Sequence, residues 1–207
     1  MQKKIFQTVA KISLASLLLA TLVFQFSAPP AEAGSFIGML DSMTRLKINE
    51  QAAHTFNFTL PAGIGWDSTG NTDDIIIDFP TSFSMVTGWS TIDFFLGDTE
   101  GGIGTTVTTY AVLETAGSLV YPSCLGAGAN DAVVAIDTTN MDFGFRRCTG
   151  ASDLGSGIAW LIYTWVGAMV NPAAPGSAMI RLSMTDEGVA AAHGGTLAVG
   201  ITSDDQV

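Results

Sequence analysis

Histidine is nearly absent: His54 and His193 are the only two. Hydrolysis by serine or cysteine needs a nucleophile, a histidine base and an orienting acid. The chain has neither a G-x-S-x-G elbow nor an S-x-x-K motif, and no H-E-x-x-H spacing that would hold a metal. His54 stands in phase with Phe56 and reads as a strand-end residue with a local hydrogen bond. His193 reads as an exposed residue of a glycine-rich loop. The glycine pairs at 63 and 65 and at 102 and 104 lack the third glycine and the helix of a phosphate loop. Long apolar runs are scarce too. The one uncharged stretch of note, residues 12–26, falls short of the roughly 20 residues that span a bilayer.

That stretch has another meaning. Lys3, Lys4 and Lys11 precede or open it, Pro29 and Pro30 close it, and Ala31-Glu32-Ala33 precedes Gly34. A basic start, a short apolar core and a small-x-small site make a secretory signal peptide, so residues 1–33 are expected to be cleaved. Contact with a membrane is then expected only through the uncleaved leader during export. No cysteine near the cleavage site offers a lipid anchor. No wall-sorting motif is present, because Leu60-Pro61-Ala62-Gly63 is internal and lacks the Thr-Gly order.

Positive charge is scarce as well. Without the leader's three lysines and Glu32, five cations (Arg45, Lys47, Arg146, Arg147 and Arg181) face 18 acids, a net charge of −13. An acidic surface repels phosphate backbones, which excludes nucleic acid as a partner. It suits a soluble protein outside the cell and attracts cations. Cysteine is limited to Cys124 and Cys148. In an oxidising compartment an even pair is expected to form a disulfide. It would close a loop of about 25 residues and stabilise by about 3–4 kcal/mol in the chain-entropy model.

What the mature part does contain is Gly, Thr, Ser, Val and Ile, a composition of strands and tight turns. Residues 55–60 alternate, with Phe56, Phe58 and Leu60 on one side, and so predict a half-buried strand. Further strands are predicted at 45–49, 75–79, 90–96, 105–113, 132–137, 141–145, 158–166, 178–184 and 196–202, with Gly- and Asp-rich turns between them. Residues 34–207 therefore predict a single all-β domain, a two-sheet antiparallel sandwich of about eight to ten strands. The run 203–207 reads as a turn leading into a further strand, or as a very short finish.

Three features carry possible function. Asp67, Asn71, Asp73 and Asp74 form an oxygen-rich loop, read as an Asx turn with calcium as the alternative; no other cofactor is expected. Trp66 and Trp89 are the tryptophans best placed to offer an exposed platform for sugar rings, against ordinary packing in the core. Asp78, Asp93 and Asp137 lie in or beside strands, where a carboxylate pair would be needed for glycoside chemistry.

The series Arg45-Leu46-Lys47-Ile48, then 54–61 (HTFNFTLP), then 75–80 (IIIDFP), and the junction Asn171-Pro172-Ala173-Ala174-Pro175-Gly176 before a strand, resemble Ig-like β-sandwich modules of uncharacterised bacterial secreted and surface proteins. The resemblance covers most of residues 41–207. It implies an immunoglobulin-like fold and a structural or adhesive role at the cell surface, with an unknown surface protein or glycan as partner and no catalytic residues to carry over. In such proteins another module commonly follows; none is present up to Val207. The expected function is thus a non-enzymatic extracellular or cell-surface structural or adhesion module. The alternatives are a carbohydrate-binding module and, behind it, a glycoside-active enzyme using a carboxylate pair.

The leader is directly testable. Mass spectrometry of the exported protein should find Gly34 as its first residue; an exported product that retains residues 1–33 would contradict the expectation.

Overall fold

Alternating side chains build a sheet with one apolar face, and that face has to find a second layer. In the computed structural model, which describes residues 36–60, 66, 73–98, 106–128, 130–148, 159–164, 169–186 and 189–203, a single ribbon of ten strands supplies both layers. All of them lie in the unit Gly34–Val207. The expected leader lies outside the described residues.

The first layer contains β1 (Ile37–Met43), β3 (His54–Thr59), β10 (Ala159–Thr164) and β6 (Phe94–Asp98), in that order. The second contains β8 (Asp131–Asp137), β9 (Asp142–Arg147), β4 (Asp74–Asp78), β12 (Gly176–Asp186) and β13 (Val189–Ile201). One strand, β7 (Thr106–Thr115), belongs to both. Its first two residues pair antiparallel with β6, Val107 opposite Leu96. Its remainder runs parallel to β8, with a register shift between Thr109 and Ala111. A bulge of this kind bends a strand, and here it accompanies the passage from one layer to the other. Three two-residue strands, β2 (Gln51–Ala52), β11 (Met169–Val170) and β5 (Ser84–Met85), form a separate small sheet.

The core lies between the layers. Phe56, Phe58, Leu96 and Ile162 of the first face Ile75, Ile77, Val134, Ile136, Phe143, Phe145, Ile180 and Leu182 of the second. Phe79 sits edge-on to Phe143, with ring centres 5.8 Å apart. No helix of the described residues is long and apolar enough to cross a membrane.

The all-β sandwich follows the sequence pattern, with differences that include residues 193–195, expected as a turn but part of β13. The parallel β7–β8 pair was not expected, since short connections favour antiparallel neighbours. Residues 45–49 form no full strand: Lys47 makes one parallel bridge to Thr202, and Asn49 turns the chain away at φ 56°. And β1 is an additional strand that the sequence pattern did not reveal.

The parallel pair requires the chain to cross back over the sheet, and residues 116–128 do so as a strap on its outer face. Cys124 and Cys148 are disulfide-bonded and tie the strap to the end of β9. Tyr121 and Leu119 of the strap lie over Gly144 of β9; a Cβ there would collide with the Tyr121 hydroxyl and come within 3.1 Å of Leu119 Cδ1. The β8 residues Val133 and Ala135 are buried although they lie outside the main core. Gly144→Ala should therefore lift Tyr121 off the sheet and cost about 1–3 kcal/mol, measured as a lower denaturation midpoint. An unchanged midpoint would show that the strap does not pack there.

Candidate functional site

The outer face of the second layer carries a row of ionisable side chains. Cross-strand register sets Arg181 of β12 opposite Asp78 of β4, Asp78 opposite Asp142 of β9, and Asp142 opposite Asp137 of β8. Three carboxylates thus stand in one row. Asp137 lies at the β8–β9 turn, where it accepts hydrogen bonds from the backbone N–H groups of Gly117, Thr139 and Asn140 and from the Asn140 side chain. Burial opposes its charge, but these donors prevail and hold its carboxyl below the usual carboxylate range. Asp142 is driven the other way. Burial first, then the charges of Asp78 and Asp137 and a hydrogen bond shared with Asp78, push it up to about 6.

Two rungs along the sheet, the strap covers a second group. Arg146 Nε and a terminal nitrogen donate to the two oxygens of Asp74, each at 2.7 Å. The guanidinium lies 3.8 Å from the centre of the Tyr121 ring. Burial and the Asp74 charge raise the Tyr121 phenol well above its ordinary value, against the opposing pull of Arg146. The hydrogen bond to Asp74 keeps Arg146 more firmly protonated than usual, despite the cost of its burial.

A third pair lies between the first layer's strands. His54 Nδ1 and Asp41 Oδ2 are hydrogen-bonded at 2.8 Å, and both side chains are fully buried. Removing one member of such a pair leaves a buried polar group without that partner and costs about 1–3 kcal/mol. His54 is thus a strand-end residue with a hydrogen-bond partner, enclosed among Phe56, Phe79 and Phe83. His193 lies in β13, opposite Met184 of β12, and not in the glycine-rich loop expected of it; its side chain is not among those described.

The residues singled out from the sequence do not converge on one site. Trp66 is not a sugar platform: it is fully buried, its Nε1 donates to the Asp73 carbonyl at 3.0 Å, and its ring lies 5.9 Å from the Arg147 guanidinium. Trp89 is half-buried and stacks on Phe94 at 5.1 Å, with Phe143 edge-on at 5.0 Å. Its ring is thus engaged in packing rather than held open for a sugar. Of the oxygen-rich loop, Asp67 and Asn71 lie outside the described residues. Asp73 is buried, and both Asp74 oxygens are engaged by Arg146, which removes Asp74 from a calcium set. Among the described residues no group of three or more His, Cys, Asp or Glu is arranged to hold a metal. Asp93 closes a short turn by accepting from the Ser90 N–H and hydroxyl, each at 2.7 Å.

The carboxylate pair that does form, Asp78–Asp142, includes a residue that was not singled out. No local signal marks Asp142; only the register of β4 on β9 creates the pair. The two stand directly opposite each other on neighbouring strands, so each makes the other harder to ionise. An apolar cleft of about 390 Å³ lies elsewhere, between Ser82, residues 172–178 and Ile201.

No protein-family model matches the sequence, and no curated protein matches it. Among solved structures, the chain is similar to the collagen-binding domain from a Staphylococcus aureus adhesin. That likeness has 8% identity and a TM-score of 0.39, covering 77% of this chain and 96% of that one. It is also similar to the group B streptococcus pilus 2b backbone protein, with 14% identity and a TM-score of 0.41 over 78% of this chain. It spans 56% of the pilus protein's chain. The functional reading rests on this chain's own side chains.

The acid row predicts a pH effect. A carboxyl whose pKa is raised on folding binds more protons in the folded than in the unfolded state, so stability falls as pH rises from about 4 to about 6. Asp137, shifted the other way, stabilises above the ordinary carboxylate range and loses that contribution as pH falls through its lowered pKa. Asp142→Asn should therefore raise the melting temperature at pH 7.5 and have a smaller effect at pH 4. Equal effects at both pH values would refute the repulsion of Asp142 by its neighbours.

Proposed function

We propose that this chain is a non-enzymatic extracellular or cell-surface module with a structural or adhesive role, which meets a surface protein or glycan. One observation carries the proposal: the side chains most capable of chemistry are engaged with one another, and each pairing joins separate segments of the fold. His54–Asp41 ties β3 to β1, Asp74–Arg146 ties β4 to β9, and Cys124–Cys148 ties the strap to β9. Groups engaged in this way hold strands in register. A catalytic centre needs a nucleophile or base within reach of a substrate.

The disulfide supports export, since such bonds persist in oxidising compartments. The acidic mature composition supports a solvent-exposed life outside the cell. Structural or adhesive work fits a rigid sandwich whose loops and faces meet a partner, with no reaction required of it.

An antibody raised against the folded protein should bind intact cells, and deletion of the gene should weaken their attachment or their envelope. Antibody binding only after lysis, with the protein confined to the cytosol, would overturn the proposal.

A further inference from the structure

The strand β1 sits at an edge and is held largely by specific contacts. Ile37 and Leu40 point outward, 60% and 54% exposed, while Met39 and Met43 pack against the core. Its ladder with β3 is interrupted between Ile37 and Leu40, where Gly38 takes a φ of 62°. Besides its ladder with β3 and the contact of Met39 with Gly195 of β13, two contacts anchor it. Phe36, just ahead of the strand, stacks on Phe58 at 4.9 Å, and the Asp41 carboxylate enters the buried His54 pocket.

That pocket is built without β1. Its histidine and one wall, Phe56, belong to β3; the other walls, Phe79 and Phe83, come from the segment after β4, with ring centres 4.9–5.9 Å from His54. A buried hydrogen-bonded polar pair adds little net stability compared with apolar packing, but a missing partner is penalised. The pocket therefore selects a strand carrying a carboxylate at one register position. The Asp41-bearing β1 meets that requirement, in the register Leu40 to Asn57 and Asp41 to Phe56. The backbone beyond β1 is tied separately: the Ile48 N–H donates to the Thr202 carbonyl and the Thr202 N–H to the Leu46 carbonyl. β1 can thus leave without releasing the segment that follows it. On the export reading, leader removal leaves only Gly34 and Ser35 ahead of Phe36.

A strand edge with unpaired backbone groups templates another strand, and exchange of an identical element conserves every contact it makes. We propose that β1 is an exchangeable strand: the β3 edge and its His54 pocket accept the Asp41-bearing β1 of a second copy in place of their own, linking copies by strand exchange. The inference rests on the proposed function only for removal of the leader.

The test uses the exported protein with its native disulfide intact. A donor variant, Leu40→Cys, is mixed at high concentration with an acceptor variant, Asn57→Cys, and oxidised with copper phenanthroline. Heterodimer is then read on a non-reducing gel. The expected yield is several-fold above that of a control pair, Met179→Cys with Asn57→Cys, since Met179 is exposed on β12. Adding Asp41→Asn to the donor should lower the yield several-fold. Adding it to the acceptor should raise it, because it weakens the acceptor's own hold on the pocket. A yield equal to the control, or the same effect of Asp41→Asn in either chain, would overturn strand exchange. If the Asp41→Asn chains lose their native circular dichroism, the comparison with the Met179 pair decides alone. The result is independent of the surface test: a cytosolic location would sink the proposed function without changing the cross-link yield.

Discussion

A ribbon of ten hydrogen-bonded strands has to bury one face and do something with its two ends, because unpaired strand edges invite other chains. Folding the ribbon in half at β7 answers the first need, since one strand pairs with β6 at its start and with β8 thereafter. The second is met where the ends approach each other. β1 and β13 are in contact, with Met39 against Gly195, and Thr202 pairs with Leu46 and Ile48. Asn171 secures that junction by donating to the carbonyls of Arg45 and Lys47 at 3.0 and 2.9 Å. The Asn-Pro sequence that resembles a module junction thus has a local physical role.

Closure also explains where the polar chemistry sits. A parallel neighbour for β7 forces a crossover, and the crossover becomes the strap that covers Gly144, Arg146 and the outer side of β8. Once covered, Asp74 and Arg146 must satisfy each other, since an unpaired buried charge is far more costly than a paired one. The acid row lies on the same sheet and behaves differently. With Arg181 as the only cation of its row among the described residues, burial and mutual repulsion raise Asp142 to about 6, while the turn donors keep Asp137 charged.

Much of the sandwich was legible. Phe56, Phe58 and Leu60 are buried while Asn57 and Thr59 are only partly so, and Ile180, Leu182 and Met184 are buried while Arg181 is exposed. The apolar run at 158–166 contains β10, a central strand between β3 and β6. By contrast β1 was hidden, because its inward positions are Met39, Asp41 and Met43, interleaved with Gly38 and Ser42, and an acid on the buried side breaks the apolar alternation. Trp66 was misjudged for the same kind of reason. Its sequence neighbours are polar or glycine, and the core, Arg147 and the Asp73 carbonyl that receive it are brought to it by the fold.

By itself the sequence determined the strand-rich class, the main inward faces, the acidic charge and the presence of just two cysteines, since periodicity and composition are local properties of the chain. Tertiary structure alone decided that β7 and β8 run parallel, that Asp142 meets Asp78, that Asp41 reaches His54 and that the strap lies over Gly144. Each of these depends on register between segments far apart in sequence, and shifting one strand by a single residue would turn every one of its side chains to the opposite face.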